Sequence, residues 1–151
     1  MARAPIKFIT STETATKPEL IFPLSVGLHL FSSETKSIAS GTRAFLETGV
    51  SLELPTGYYA QVVGRYSMTS IGIYVGSLTF ESSYTGTIKV LMDNKSRYEL
   101  PIQIGDKIAE LLILPLDPPL VTYQNLLDDS TINFDLLDPL IFSGLEGENS
   151  I

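Results

Sequence analysis

Glycine, proline, serine and asparagine interrupt this sequence about every 8–12 residues, and short apolar or alternating runs lie between the interruptions. The clearest turn signals are Ser32–Glu34, Ala39–Gly41, Pro55–Gly57, Asp93–Ser96 and Gly105–Asp106. Short strands joined by such turns are typical of a β-sandwich or barrel, and helical periodicity is scarce. The spacing therefore predicts an all-β fold.

The runs between the turns are rich in β-branched and aromatic residues or alternate between apolar and polar residues, as strands do. They predict strands at Leu24–Phe31, Arg43–Gly49, Val50–Leu54, Tyr58–Val63, Ile71–Phe80, Thr87–Met92, Arg97–Leu100, Ile102–Ile104 and Lys107–Leu114. The two candidate helical pieces are Ser67–Ile71 and Gln124–Asp129. No internal repeat is visible.

Three prolines within five residues mark the end of the strand-rich body. Pro115, Pro118 and Pro119 cannot all lie in a central strand, because proline lacks the N–H that a sheet requires. The chain of 151 residues is long enough for one domain with a core. We therefore expect a β-domain at residues 1–116, followed by a C-terminal arm at residues 117–151.

The charge of the chain is divided unequally between its two parts. Residues 1–107 hold all ten Lys and Arg against nine Asp and Glu, a net charge of +1. Residues 108–151 hold eight Asp and Glu with no Lys or Arg, a net charge of −8. The total of −7 argues against binding of a nucleic-acid backbone, and all of it belongs to the C-terminal third.

Composition excludes several classes of protein. With 44% hydrophobic residues the chain is too apolar to be disordered, and with no cysteine it has neither a disulfide scaffold nor a thiol nucleophile. The longest apolar runs, Leu111–Leu116 and Val75–Phe80, fall far short of the roughly 20 residues of a membrane span. The N-terminus lacks the apolar run of a signal peptide. We expect an intracellular protein, cytoplasmic or nuclear, that does not bind membranes.

Five segments resemble, in order and spacing, the motifs of the trimeric deoxyuridine triphosphatase (dUTPase) family over roughly residues 20–116. The strongest is Leu54-Pro-Thr-Gly-Tyr-Tyr-Ala-Gln-Val-Val-Gly-Arg65, which resembles the family's LPxGxYGRIxPR and is preceded by a GxRxLVxTG-like stretch at Gly41–Gly49. Val26–Ser32 stands at AGYDLYS, the segment from Ile73 to Gly86 at GVIDxDYRG, and Gly105–Ile113 at GDRIAQLI. The resemblance implies a distorted jelly-roll β-barrel and a homotrimer whose C-terminal arm packs on a neighbouring subunit.

The family hydrolyses dUTP to dUMP and pyrophosphate with Mg²⁺, and several residues implied in that chemistry are changed here. The acidic position of the first motif is His29, the only histidine of the chain, and imidazole is a poor ligand for Mg²⁺. Arg65 is retained, but Tyr66 stands at the phosphate-contacting serine, which leaves Ser67 as the nearest hydroxyl. Glu110 replaces a phosphate-binding glutamine and would repel a triphosphate.

The third and fifth motifs are changed as well. Glu81 stands at the water-activating aspartate with one extra methylene, and Tyr84 matches the tyrosine that supports deoxyribose recognition. The family's fifth motif is an Arg- and Gly-rich arm that closes over the nucleotide. Here the tail has no Arg, and only Phe142–Gly144 resembles that motif. An anionic substrate would therefore meet an acidic segment where a cationic lid is implied.

These changes predict a non-catalytic dUTPase-like trimer with a structural or protein-interaction role, such as a virus-encoded structural protein that can be associated with the virion. No metal site and no cofactor are expected. The alternative is a divergent nucleotide hydrolase, or a dNTP-binding sensor, that retains Arg65, Glu81 and Tyr84, with Ser67 as a further nucleotide contact. Mg²⁺ belongs to the hydrolase alternative only.

Single residues also have simpler interpretations. His29 can be a packing residue with its hydrogen bonds made, Glu81 a surface carboxylate near a turn, and Asp106 a turn residue. Arg65 can form an ion pair across a subunit boundary. The arm interleaves bulky apolar residues with carboxylates, as acidic protein-binding segments do. Its candidate partner-binding residues are Leu126, Leu127, Phe134, Leu136 and Leu137.

Overall fold

The computed structural model describes residues 5–22, 27–126 and 131–133, and nearly all of its regular structure is β. The elements are β1 (Lys7–Thr10), β2 (Glu19–Leu20), β3 (Gly27–Phe31), β4 (Lys36–Ile38), β5 (Arg43–Glu53), β6 (Tyr58–Val63), α1 (Tyr66–Thr69), β7 (Ile73–Val75), β8 (Leu78–Phe80), β9 (Thr87–Asn94), β10 (Leu100–Ile102), β11 (Lys107–Pro115), β12 (Thr122–Gln124) and β13 (Thr131–Asn133). The all-β prediction is confirmed.

Two antiparallel sheets form the body of the protein. One has the strand order β1-β5-β9-β7, and the other has the order β2-β3-β11-β6-β8. A separate two-stranded sheet joins β4 to β10. Neighbouring strands in both large sheets are mostly distant in sequence, which is typical of jelly-roll connections.

One apolar cluster connects the two large sheets. Alternate residues of β5 and β9 are fully buried, as are those of β11 and β6. The largest of these side chains belong to Leu30, Leu46, Ile88, Met92, Ile108 and Leu111. Because side chains alternate between the faces of a strand, this pattern also fixes which residues of β3, β6 and β11 point outwards.

The sequence divided β5 into Arg43–Gly49 and Val50–Leu54, but the structure has one strand of 11 residues. The signal for a break came from Gly49, which has φ of +67° and lies where the register with β9 shifts between Glu47 and Ser51. A glycine at a bulge bends a strand without ending it. Thr48 bridges the irregularity, since its hydroxyl donates to the Ile88 carbonyl over 2.6 Å.

The predicted strand Ile71–Phe80 is instead two strands in different sheets. Ile73–Val75 pairs with β9, whereas Leu78–Phe80 pairs with β6. Between them the N–H of Gly76 donates to the Leu91 carbonyl over 2.9 Å. The composition of the run is that of a strand throughout, so it gives no sign that the chain crosses from one sheet to the other.

Smaller differences occur at the edges of the fold. The short strands β1, β2 and β4 were not predicted, because runs of two to four residues are too short to show the alternation of a strand. The predicted turn at Asp93 begins later, since β9 continues to Asn94. Gln124 lies in a strand and not in the predicted helix. The predicted helix Ser67–Ile71 corresponds to the single turn α1.

The chain divides into two compact units, Met1–Leu116 and Asp117–Ile151. In the described part of the second unit, β12 pairs antiparallel with β13 from Thr122 opposite Asn133 to Gln124 opposite Thr131. Leu24–Val26 of the first predicted strand lie outside the described residues. Within the described part of the chain, no helix is long and apolar enough to cross a membrane.

The bulge at Gly49 gives a test of the fold. A Cβ at this residue would lie 2.6 Å from Thr12 Oγ1 and 3.0 Å from Ala15 Cβ. We expect Gly49→Ala to lower the free energy of unfolding by about 2–3 kcal/mol, measured by urea denaturation. Gly41→Ala is the matched control, because Gly41 has φ of +76° with open space around it, so only the strain of about 1 kcal/mol applies. Equal losses in the two variants would contradict this account of β5.

Candidate functional site

Arg65 lies directly after β6 and begins the short helix α1. Its carbonyl accepts hydrogen bonds from the N–H groups of Met68 and Thr69, at 3.1 and 3.0 Å. Its guanidinium donates from Nη1 to the carbonyl of Lys107 over 3.1 Å. The structure therefore brings Arg65 to the start of β11, next to the Gly105–Asp106 turn. It places two cationic residues, Arg65 and Lys107, side by side.

Tyr66 and Ser67, the two residues that follow Arg65, are both exposed to solvent. Tyr66 is 88% exposed, and Ser67 is exposed on the same helical turn. Ser67 is held through its carbonyl, which accepts a hydrogen bond from the Ser70 hydroxyl over 3.0 Å. The Ser67 hydroxyl is thus accessible at the helix, one residue beyond the position that the resemblance implies.

The two residues that replace the implied aspartate and glutamine are direct neighbours. His29 on β3 pairs with Glu110 on β11, and on its other side it pairs with Glu19 on β2. Paired residues of antiparallel strands point to the same face, with Cβ atoms roughly 5 Å apart. Leu30 and Leu111 next to them are buried on the opposite face, so this row of three lies on the outer face of the sheet.

The imidazole of His29 is partly covered, and its Nδ1 is a buried atom with no hydrogen-bond partner among the described residues. The interpretation of His29 as a packing residue with its hydrogen bonds made is therefore wrong for the single chain that the structure describes, because Nδ1 makes none.

Glu19 was missed by the sequence reasoning. Only strand register places it beside His29, and no local pattern in the sequence reveals that register.

Glu81 and Tyr84 lie in the turn that follows β8. Glu81 is exposed, and its carbonyl accepts a hydrogen bond from the Tyr84 N–H over 3.0 Å. The Tyr84 hydroxyl donates to the Thr87 carbonyl over 2.7 Å, and its ring packs on Phe80 with centroids 4.8 Å apart. A Cβ at Gly86 would lie 2.7 Å from the Tyr84 hydroxyl oxygen, so this position of the ring requires glycine there.

A shallow pocket of about 300 Å³ lies beside Tyr84. It is lined by Ile9, Ser51, Leu52, Glu53, Leu54, Ser82, Tyr84 and Thr85. The only charged residue in this lining is Glu53, which would disfavour an anion. The phenol of Tyr84 can offer a ring surface here, but its O–H group is already used by the backbone.

Arg65 and Glu81 lie at opposite ends of β6 in one chain. Phe80, next to Glu81, pairs with Ala60, which precedes Arg65 by five residues. Glu81 therefore lies opposite Tyr59, six residues before Arg65, and at about 3.3 Å per residue the two are separated by roughly 20 Å along the strand. A site that used both side chains of a single chain on one phosphate would have to span this separation.

Arg97 is a further exposed basic residue of the β-domain. Arg97 lines a separate groove with Ile71, Lys95 and Tyr98. The cations of the body therefore do not all converge on one anion-binding cleft. Asp106 behaves as a turn residue, since its carboxylate accepts a hydrogen bond from the Gln103 N–H over 2.8 Å.

Comparison of the sequence with models of known protein families identifies the family of this chain. A family model described as dUTPase matches residues 13–133, which is most of the chain. This chain belongs to the dUTPase family. Curated relatives named deoxyuridine 5'-triphosphate nucleotidohydrolase, from variola virus and from vaccinia virus (strain Copenhagen), are each 28% identical to it over 109 residues. Those alignments cover 72% of this chain and 74% of each relative.

Solved dUTPase structures share the fold. The dUTPase of phage phi11 of S. aureus has a TM-score of 0.76 at 19% identity, over 84% of this chain and all of that one. The dUTPase of Staphylococcus bacteriophage 80alpha has a TM-score of 0.73 at 18% identity, over 79% of this chain and 95% of that one. The jelly-roll-like fold expected from the resemblance is thus confirmed.

A structure of a mutant phi11 dUTPase, with a TM-score of 0.74 at 20% identity over 82% of this chain and 99% of that one, is described as showing the coordination of a structural Mg(II) ion. In the described part of this chain, no three His, Asp or Glu side chains form a group that could hold a metal ion. The row of His29, Glu19 and Glu110 contains a nitrogen donor where Mg²⁺ prefers oxygen. These residues do not fit an Mg²⁺ held by the protein.

The register of His29 with two carboxylates gives a second test. We expect His29→Asp to lower the free energy of unfolding by about 1 kcal/mol more than the neutral His29→Asn, because it places three like charges in one row. Urea denaturation should show this difference shrinking at high salt, which screens such repulsion.

A double-mutant cycle with Glu110→Gln is the control for this test. Removing the Glu110 charge should recover part of the loss in the His29→Asp chain and much less of it in the His29→Asn chain. Equal effects of Glu110→Gln in the two backgrounds would contradict the pairing of these side chains.

Proposed function

We propose that this chain is a non-catalytic member of the dUTPase family, which acts as a homotrimeric structural or protein-interaction module. The observation that carries the proposal is the row of Glu19, His29 and Glu110 on the outer face of the sheet. Glu110 stands at the position where the family's phosphate-binding glutamine is implied, and Glu19 lies in the same row on the other side of His29. Like charges at this distance oppose the binding of a triphosphate.

Further support comes from the remaining candidate groups. The guanidinium of Arg65 is already bonded to the Lys107 carbonyl, and the hydroxyl of Tyr84 to the Thr87 carbonyl. The carboxylate of Glu81 is exposed and longer than the implied aspartate by one methylene, and a misplacement of about 1 Å can slow a reaction roughly 10²-fold. The chain after Lys107 supplies no Lys or Arg for a lid over the phosphates.

The module as proposed assembles through its own subunits, with the β-domain at residues 1–116 and an acidic arm at residues 117–151 that packs on a neighbour or binds another protein. Leu126 of the proposed partner-binding set is 87% exposed. The other four residues, Leu127, Phe134, Leu136 and Leu137, lie outside the described residues. The phage 80alpha dUTPases, described as controlling transfer of virulence genes, give a precedent for a role other than catalysis on this fold.

An intracellular location and a place in a virus particle remain part of the same proposal. The curated relatives from variola and vaccinia viruses are consistent with a viral origin. The proposed module needs no cofactor, and Mg²⁺ enters only with the alternative below.

The alternative function is a divergent nucleotide hydrolase or a dNTP sensor that uses Arg65, Ser67, Glu81 and Tyr84. The observation in its favour is that the curated relatives at 28% identity are named as nucleotidohydrolases. Because Arg65 and Glu81 are roughly 20 Å apart along one chain, this function fits a site that is shared between subunits.

One assay separates the proposal from the alternative. The full-length protein is incubated with each dNTP and Mg²⁺ while pyrophosphate release and the thermal midpoint are followed, with the variola virus relative as the positive control. We expect no pyrophosphate release and no change in midpoint. Release that is abolished by Glu81→Ala would contradict the proposal and support the hydrolase. A rise of several degrees without release, lost in Arg65→Ala, would support the sensor, because a ligand that binds the folded state raises its stability.

The assembly is tested separately by light scattering. The chain has a mass of 16.5 kDa, so a homotrimer should give three times that value, about 50 kDa. The same mass should persist on dilution to low micromolar concentration. A mass near 16.5 kDa would contradict the trimer, whatever the outcome of the nucleotide assay.

A further inference from the structure

A second groove lies away from Arg65, Glu81 and Tyr84. It runs between the segment after α1 and the loop that joins β9 to β10, and it has a volume of about 590 Å³. Its apolar wall includes Ile71 and Tyr98, which are 60% and 78% exposed. These two side chains give the groove an apolar wall that is open to solvent.

Three charged side chains are among the described residues that line this groove, namely Lys95, Arg97 and Glu99. Lys95 and Arg97 are both exposed, and Arg97 forms no ion pair with any residue in the described part of the chain. Lys95 Nζ lies 3.3 Å from Asp93 Oδ2 but is 66% exposed, so it can still reach an incoming carboxylate. Glu99, the acidic residue among the described lining residues, accepts a hydrogen bond from the Ser37 hydroxyl over 2.7 Å and keeps its negative charge.

The side chain of the buried Asn94 fixes the conformation of the β9–β10 loop, which carries Lys95, Arg97 and Tyr98. The side chain of Asn94 is fully buried, and its Nδ2 donates to the carbonyls of Ile38 and Tyr98 at 2.9 and 2.8 Å. Its Oδ1 accepts from the N–H and the hydroxyl of Ser96, at 3.0 and 2.6 Å. The N–H of Lys95 donates to the Gly72 carbonyl over 2.9 Å and joins the two walls. A surface fixed in this way loses little conformational entropy on binding.

We propose that this groove is a docking site for an acidic peptide segment of another protein. A bulky apolar side chain of the peptide would pack between Ile71 and Tyr98, while flanking carboxylates would pair with Lys95 and Arg97. Charge complementarity favours this occupant at Arg97, because that exposed guanidinium forms no ion pair in the described part of the chain and lies beside the apolar wall. None of the candidate nucleotide residues lines the groove, so this inference stands or fails independently of the proposed function.

The test is peptide binding to the full-length protein, followed by fluorescence anisotropy. The probe is a short labelled peptide in which aspartates flank a phenylalanine and a leucine, and the control probe carries asparagine in place of each aspartate. We expect micromolar binding of the acidic probe that weakens with added salt, and much weaker binding of the control. Arg97→Glu and Tyr98→Ala should each weaken binding at least about tenfold.

Matched control variants are taken from elsewhere on the surface. Tyr66→Ala removes a tyrosine that is 88% exposed, and Lys89→Glu reverses an exposed charge on β9. Both should leave the affinity unchanged within about twofold. Tyr98→Ala keeps the backbone carbonyl that Asn94 binds, so circular dichroism and the thermal midpoint should show that the fold is retained.

Three outcomes would overturn the inference. The first is no measurable binding of the acidic probe to the native chain. The second is equal affinity in Arg97→Glu, Tyr98→Ala and the two control variants. The third is loss of the assembled mass in Arg97→Glu or Tyr98→Ala, which would assign this face to contacts between copies of the chain.

Discussion

Burial of the inward-facing side chains of β5, β9 and β11 holds the molecule together, because these long strands supply the core from both sheets. With the hydrophobic effect contributing about 25 cal/mol per Å² of apolar area, this shared core is the main stabilising contribution available to a chain that has no cysteine. It also sets the register of every strand beside it. A slip of one residue would exchange the buried and exposed faces, so Leu30 and Leu111 inside require His29 and Glu110 outside.

The chemistry of the outer face follows from that register. His29 and Glu110, which stand at two positions of the family's motifs, lie opposite one another on β3 and β11. An acidic residue at 29 next to Glu110 would leave like charges side by side, whereas the imidazole relieves that repulsion. Glu19 and Glu110 make this part of the outer face acidic, and that acidity opposes the binding of phosphates. Arg65 alone cannot reverse this, since it lies at the other end of β6 from Glu81 and is bonded to the Lys107 carbonyl.

Much of the fold could be predicted from turn chemistry and strand composition. Tyr58–Val63 was predicted with its observed bounds, and Lys107–Leu114 to within one residue. The division of Ile71–Phe80 between two sheets could not be predicted, because it depends on which strands lie nearby and not on the run itself. The same limit applies to the site. Residue types identified His29 and Glu110 one by one, while their contact and the presence of Glu19 depend on long-range pairing.

The buried Asn94 fixes the conformation of the β9–β10 loop, whereas other, exposed side chains of the loop determine what the loop can bind. All four hydrogen bonds of its side chain go to the backbone of Ile38 and Tyr98 or to Ser96, so none of them involves the exposed side chains of Lys95, Arg97 and Tyr98. Mutations at those three residues can accumulate without loss of the loop conformation. The loop is thus evolvable: a lineage can exchange one recognition specificity for another there while the core and the assembly of the protein stay the same.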